Sequence, residues 1–224
     1  MTLASEVDLQ KLLTREHHRI HLVGVAGSGM SGIAALLLEL GHDVSGSDKV
    51  GSLESDRLQR LGLRFHTQHR AEDADDAEIV IFSSAIKKEN PIIVRARELG
   101  RQLVRRAEAL AAIMAGKRGI VIAGMHGKTT TSAMAAHVLR EGGLHPSHYV
   151  GAEIPLLGSN AHWDPRGEYF VAEGDESDGT LCFFKPEHAL VLNIEEEHLD
   201  FYADLTAIEG VFSQLLEQTS GSIF

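Results

Sequence analysis

Lys128 and Thr129 follow Gly127 in the segment GMHGKTTT, which lies between an apolar run and a stretch of helical composition. In such a loop, backbone N–H groups bind phosphate oxygens, a lysine ammonium neutralises the β and γ phosphates, and a threonine hydroxyl ligates magnesium. The segment departs from the strict G-x-x-x-x-G-K-[ST] pattern, because Ile122 stands where the first glycine belongs. A chance Gly-Lys-Thr at a helix start is the alternative. The predicted ATP-binding residues are Gly124, Met125, His126, Gly127, Lys128, Thr129 and Thr130.

A second glycine-rich segment, GVAGSGMSG, comes directly after the first apolar run of the chain. Its Gly27, Gly29 and Gly32 satisfy G-x-G-x-x-G, and glycines there let the backbone approach a diphosphate at a helix N-terminus. Asp48 ends the next strand-like segment, 16 residues after Gly32. A carboxylate at that position can accept hydrogen bonds from a ribose hydroxyl. The pattern alone indicates NAD, and a tight turn that binds nothing is the alternative.

Two acidic segments, VAEGDESDGT and NIEEEHLDFY, each continue an apolar run. Glu173 would lie beside the phosphate loop if both strands belong to one sheet, and magnesium needs such a hard anionic oxygen. His198 follows a strand end among acids, where a second cation could bind. A solvated acidic loop and a structural histidine are the ordinary alternatives. The polar side chains of the two segments include Glu173, Asp175, Glu176, Asp178, Asn193, Glu195, Glu197, His198 and Asp200.

Strand-like and helix-like segments alternate along the chain, which predicts an α/β fold with parallel sheets covered on both faces. In the first half we predict strands at 19–25, 42–48, 78–85 and 102–106, and helices at 30–41, 53–61 and 91–100. In the second half we predict helices at 106–116, 128–141 and 205–218, and strands at 117–124, 168–174, 188–194 and from 223 onward.

The two glycine-rich turns therefore belong to two successive nucleotide-binding units. We predict a Rossmann-like parallel-sheet domain at 1–106 and a P-loop ATPase-type α/β domain at 107–224. A doubly wound domain that starts near residue 107 normally needs more strands than the remaining residues supply. We therefore expect the chain to be an N-terminal fragment of a longer polypeptide.

Composition restricts the class of protein. The 224 residues carry a formal charge of −11 without a basic stripe, so nucleic acid is not an expected partner. A single cysteine, no signal-peptide core and no apolar run of membrane-spanning length predict a cytoplasmic protein without membrane insertion. The 13 histidines are scattered and form no zinc-binding pattern.

Taken together in this order and spacing, four segments resemble the Mur ligases, which build the peptide of bacterial peptidoglycan. They are IHLVGVAGSGMSGIAALLLELGHDVSGSD, GMHGKTTT, AEGDESDGT and NIEEEHLDFY. The resemblance covers essentially the whole chain and departs at Met125, where the family usually has threonine. Members of this type carry a complete central ATPase domain and a C-terminal domain. The end of the central domain and all of the C-terminal domain are expected to be absent from this chain. The isolated chain is therefore expected to be inactive.

The resemblance implies ATP-dependent ligation of L-alanine to UDP-N-acetylmuramic acid through an acyl phosphate, with Mg²⁺ or Mn²⁺ as cofactor. It implies catalytic roles for Lys128 at the γ-phosphoryl group, for Glu173 with Thr129 at the first metal ion, and for His198 at a second. The first loop would then bind UDP instead of NAD. The implied UDP-sugar-binding residues are Gly27, Ser28, Gly29, Met30, Asp48, Ser83 and Ser84.

Three other functions remain open at this point. A recycling ligase that joins a preformed tripeptide to UDP-N-acetylmuramic acid would share both nucleotide sites. An NAD-dependent oxidoreductase would use the first loop and leave the phosphate loop without a role. A nucleotide-binding module without catalytic activity would use both loops for binding alone.

Overall fold

The computed structural model describes residues 6–177, 179–199 and 201–224. The chain divides into two compact units, of which the first ends at Ile113 and the second spans Met114–Phe224. The division falls in the last turn of a helix, Arg106–Met114. The domain boundary predicted after residue 106 stays a prediction. Within the described ranges, no helix is both long and apolar enough to cross a membrane.

The first unit is built on a five-stranded parallel sheet with the strand order β3-β2-β1-β4-β5. Its strands are β1 (Arg19–Val23), β2 (Asp43–Asp48), β3 (Arg64–Thr67), β4 (Ile79–Phe82) and β5 (Gln102–Arg105). Its helices are α1 (Glu6–Thr14), α2 (Ser28–Glu39), α3 (Leu53–Arg60), α4 (Pro91–Glu98) and α5 (Arg106–Met114). The direction of strand addition reverses at β1, so the ends of β1 and β4 flank the crevice in which such sheets bind ligands.

Local sequence explains where the helices of this unit begin. Ser52 caps α3, because its side chain accepts a hydrogen bond from the Ser55 N–H, and Ser55 returns the contact. Asn90 caps α4 through its Oδ1, which accepts the Ile92 N–H, and Pro91 occupies the first helical position, where a missing N–H costs nothing. These helices cover a sheet whose central strands β1 and β4 are almost wholly buried.

The second unit contains a five-stranded mixed sheet with the order β10-β6-β9-β7-β8. Its strands are β6 (Arg118–Ala123), β7 (Ser147–Tyr149), β8 (Ala161–His162), β9 (Tyr169–Glu173) and β10 (His188–Val191), and its helices are α6 (Lys128–Glu141) and α7 (Leu205–Glu217). All pairings are parallel except β7 with β8. Ile223 forms an isolated parallel bridge with Ala189, at the position where a further strand is predicted to begin. The predicted α/β fold is confirmed in both units.

A buried polar network crosses the sheet of the first unit. His21 of β1 is fully buried, and its ring nitrogens lie 2.9 Å from Ser45 Oγ and 3.0 Å from Ser47 Oγ of β2. Ser47 Oγ in turn lies 2.9 Å from His69 Nδ1. Serine hydroxyls can donate or accept, so they satisfy whichever tautomer the neutral imidazole adopts.

Burial lowers the pKa of His21 to about 4, because the charged imidazolium loses its hydration. Asp73 opposes the change by raising this pKa, whereas His66, His69 and Arg64 lower it further. His21 is therefore neutral in the folded protein near neutral pH.

We expect the free energy of unfolding of the first unit to fall as the pH is lowered from 6.5 to about 4. In the unfolded chain His21 binds a proton as the pH falls through about 6.5, whereas in the folded chain it does so only near pH 4. The contribution of His21 is thus complete above pH 6.5 and is lost as the pH falls through the folded pKa, by up to about 3 kcal/mol. Urea unfolding at a series of pH values measures this loss.

His21→Gln is the comparison variant, since its amide can hydrogen-bond a serine and does not titrate. Subtracting its pH profile from that of the wild type removes the contribution of the other titrating groups. Parallel profiles for the two proteins would show that His21 is not the group responsible.

Candidate active site

The first glycine-rich loop is fixed to the end of β2. Gly24 has φ = 85°, a conformation that favours glycine, and both its N–H and that of Val25 donate to Ser47 O. A Cβ atom on Gly46 would lie 2.7 Å from the Val25 side chain, so β2 also needs glycine for this close approach. Gly27 then caps α2 with extended backbone angles.

The Asp48 carboxylate lies beside this loop and stabilises it by hydrogen bonding. Its Oδ2 accepts the Ala26 N–H at 3.0 Å, and its Oδ1 accepts the Lys49 N–H at 2.7 Å. Each carboxylate oxygen has a second lone pair that can take a further donor. The side chain can therefore hold the loop and accept a ribose hydroxyl at the same time.

The other residues predicted for the first site surround the same sheet edge. Ser83 and Ser84 directly follow β4, whose Phe82 is paired with Val23 at the end of β1. Ser28 is exposed at the start of α2 and Gly29 is partly exposed. Met30 differs, because its side chain is only 3% exposed and belongs to the core. A ligand would meet Met30 through its backbone in the first helical turn.

The phosphate loop joins β6 to α6 and carries two glycines with positive φ. Gly124 has φ = 140° and Gly127, which caps α6, has φ = 86°. A Cβ atom on Gly124 would lie 3.1 Å from the backbone N and O of Asn193, so the loop also needs glycine to approach β10's extension. Met125 is buried, whereas His126 and Thr130 are exposed.

Asn193 stabilises the phosphate loop through hydrogen bonds. Its Oδ1 accepts the His126 N–H at 2.9 Å, and its Nδ2 donates to His126 O at 3.0 Å. Its backbone O accepts the Met125 N–H at 3.3 Å. The sequence places Asn193 at this edge but gives it no role, and its only signal is its position after an apolar strand.

Lys128 turns back over the loop that precedes it. Its Nζ donates to Gly124 O at 2.6 Å and to Met125 O at 3.2 Å. It also forms an ion pair with Glu176 Oε1 at 2.7 Å. The ammonium thus lies over the loop whose N–H groups are predicted to bind phosphate.

Glu173, the last residue of β9, meets the start of α6. Its Oε1 accepts the Thr129 hydroxyl at 3.0 Å, and its Oε2 accepts the Gly151 N–H at 2.6 Å. A Cβ atom on Gly151 would lie 2.7 Å from Oε1, so that position needs glycine for the contact. Parallel pairing of Ile122 with Glu173 brings β9's end beside the loop.

His198 reaches the site through Glu176. Its Nε2 lies 3.4 Å from Glu176 Oε1, and its backbone has φ = 55°. Its carbonyl accepts the N–H groups of Phe201 and Tyr202, which fix this left-handed turn. Two further acids of these segments, Asp178 and Asp200, lie outside the described residues.

The donors at this edge suit a hard cation. Thr129 and Glu173 supply adjacent oxygen atoms, the ligand type that Mg²⁺ prefers. Among the described residues, no group of three or more histidine, cysteine, aspartate or glutamate side chains is arranged to hold a metal ion. A Mg²⁺ ion commonly keeps one or two protein ligands and completes its shell with phosphate and water, so the residues present fit it.

Two family models match adjoining parts of the chain. The model described as "Mur ligase family, catalytic domain" matches residues 19–118, and that described as "Mur ligase middle domain" matches residues 122–224. Curated relatives named UDP-N-acetylmuramate–L-alanine ligase occur in Desulfatibacillum aliphaticivorans, at 46% identity over 91% of this chain, and in Desulfosudis oleivorans, at 47% over 90%. The chain covers 44% of the length of each.

Solved structures give the same grouping. A UDP-N-acetylmuramate-alanine ligase from Thermotoga maritima superposes with a TM-score of 0.86 and 31% identity, over 93% of this chain and 49% of that one. A UDP-N-acetylmuramate:L-alanyl-gamma-D-glutamyl-meso-diaminopimelate ligase from Neisseria meningitides superposes at 0.85 with 29% identity, over 93% and 71%. The chain belongs to the Mur ligase family.

Proposed function

We propose that this chain carries the UDP-sugar and ATP sites of a cytoplasmic, ATP-dependent ligase that joins L-alanine to UDP-N-acetylmuramic acid in peptidoglycan synthesis. The supporting observation is the phosphate loop itself, in which Lys128 and Thr129 contact carboxylates from the segment after β9 and from β9. The names of the relatives support the choice of substrates.

In this proposal the first domain, residues 1–106, binds the UDP group. The diphosphate lies at the start of α2, where backbone N–H groups and the helix dipole favour negative charge. Asp48 accepts a ribose hydroxyl, and Ser83 and Ser84 line the other side of the crevice. The sites would lie at the carboxyl ends of β1, β2 and β4, where parallel sheets of this topology bind nucleotides.

The second domain, residues 107–224, binds ATP. The loop from Gly124 to Thr130 surrounds the phosphates, and Lys128 neutralises the transferred group. Thr129 and Glu173 would hold Mg²⁺, and His198 would hold a second metal ion. When bound, such ions would offset the charge of the phosphate oxygens and of the acyl phosphate.

The reaction then needs mainly positioning and charge neutralisation. The lactyl carboxylate of the sugar attacks the γ-phosphorus and ADP leaves, which gives an acyl phosphate. The L-alanine amine attacks the acyl carbon, and phosphate leaves from the tetrahedral intermediate. Lys128 stabilises the charge that develops on the phosphoryl oxygens, as a preorganised donor in a partly buried position.

The tripeptide ligase is the second candidate, because the Neisseria meningitides structure superposes almost as well as the Thermotoga maritima one. The higher identity, 46% and 47%, to relatives named as alanine ligases favours alanine. Calorimetric titration of the chain with UDP-N-acetylmuramic acid, NAD and ATP tests the part common to both ligases. Binding of NAD without binding of the UDP-sugar would reject both.

Gly27→Leu should abolish binding of UDP-N-acetylmuramic acid and leave ATP binding intact. Gly27 is exposed, has φ = −72°, and its Cβ would meet only Gly24 O at 3.5 Å, so the protein itself tolerates a side chain there. The leucine side chain would instead occupy the space that the diphosphate of the ligand needs. Calorimetry measures both ligands, and ATP binding serves as the internal control for folding. Unchanged UDP-sugar affinity would place the diphosphate elsewhere.

Lys128→Met should weaken ATP binding about tenfold to hundredfold, the range expected for losing a charge-assisted hydrogen bond. The matched control is Lys185→Met, which replaces an exposed lysine of the same unit and should leave the ATP affinity unchanged. Calorimetry measures the affinity, and unfolding curves establish that the variant remains folded. Equal ATP affinities in the two variants would remove Lys128 from the phosphate site.

Glu173→Gln should reduce the gain in ATP affinity that Mg²⁺ provides by about tenfold, by analogy with the loss of a metal-site partner. Affinity for ATP without Mg²⁺ should stay the same, because the amide oxygen can accept the Gly151 N–H while the amide NH2 donates to the Thr129 hydroxyl oxygen. Glu168→Gln, an exposed residue before β9, makes the same change of charge as a control. Titration with and without Mg²⁺ decides the matter, and an unchanged gain would exclude Glu173 as a ligand.

A further inference from the structure

The carboxylate of Glu176 is buried between two residues of the candidate active site. Its side chain is 2% exposed, and its Oε1 lies 2.7 Å from Lys128 Nζ and 3.4 Å from His198 Nε2. A buried carboxylate is stable only when positive charge and hydrogen bonds replace its hydration. Lys128 is the nearer of these two partners.

The Lys128 ammonium has all three of its donors in use. They go to Gly124 O, Met125 O and Glu176 Oε1. An ammonium has only three donors, so a phosphate oxygen can bind Lys128 only by replacing one of these acceptors. Glu176 is the charged one, and it repels a phosphate at the same nitrogen.

Glu176 has few ways to adjust if that contact is lost. Its Oε2 is buried and has no hydrogen-bond partner among the described residues. Its carbonyl accepts the Tyr202 hydroxyl and the Gly179 N–H, which hold the main chain in position. The carboxylate would thus stay buried without the ammonium, unless another cation took its place.

We propose that Glu176 is a positioning residue that couples nucleotide binding to a divalent cation, an inference that rests on the ATP site of the proposed function. Glu176 holds the Lys128 ammonium on the loop. A nucleotide that arrives without a metal ion competes with Glu176 for the Lys128 ammonium, and where it displaces Glu176 it leaves Oε1 with the His198 ring as its remaining polar contact among the described residues. A nucleotide that arrives with Mg²⁺ brings the positive charge that Glu176 loses.

The test compares ATP affinity with Mg²⁺ and with EDTA, by calorimetry, in the wild type and in Glu176→Gln. The variant removes the charge and keeps the shape. We expect metal-free ATP to bind about tenfold tighter in the variant, because the competing charge is gone. Affinity for Mg²⁺-ATP should change much less, so the ratio of the two affinities shrinks. A residue with only a structural role would weaken both and keep the ratio.

Two further variants make the result decisive. Glu168→Gln makes the same charge change before β9 and should keep the wild-type ratio. Glu176→Met is apolar and of similar size, and it gives the same expected result if the buried amide prevents folding. A wild-type chain that binds ATP with an unchanged ratio in the Glu176 variants overturns this inference alone. A wild-type chain that binds no ATP overturns the proposed function and this inference with it.

Discussion

Parallel pairing of β6 with β9 on one side and β10 on the other is the constraint on which the second unit's site depends. These three strands are neighbours in the sheet and their carboxyl ends lie at the same edge. The phosphate loop after β6 therefore lies between the segments that follow β9 and β10. Glu173 arrives from one side and Asn193 from the other. Sheet topology thus brings Glu173 to Thr129 and Glu176 to Lys128, although each pair is far apart in sequence.

The same principle operates in the first unit with different residues. There the loop after β1 is fixed by the end of β2, through the Ser47 carbonyl and the Asp48 carboxylate. In the second unit the corresponding loop is fixed by a side-chain amide on the next strand's extension. In both units, loop N–H groups that precede the helix start are held by a neighbouring strand or its extension, so the loops are preorganised by the sheet.

Much of this was predictable from sequence, because buried strands and glycine turns have strong local patterns. The edge strand β3 is mostly exposed, and β7 and β8 have only three and two residues, so these strands lack the apolar runs on which prediction depends. The burial of Met30 and the contact of Glu176 with Lys128 depend on packing across 3D space, which spacing along the chain does not encode. The sequence predicts the sheet edge at which Asn193 lies. It does not predict the contact of Asn193 with His126, because no sequence motif marks an amide side chain in this role.

The reciprocal pairing between the Asn193 amide and the His126 peptide makes the phosphate loop an exception to the usual behaviour of exposed loops. The backbone amides of surface loops normally exchange their hydrogens with solvent quickly, because little protects them. Here the amide hydrogens of Met125 and His126 are both engaged by Asn193, although the His126 side chain is exposed. Their deuterium uptake would therefore follow the opening of the sheet edge beside β10, which makes these two amides local reporters of how tightly β10 and β6 hold together.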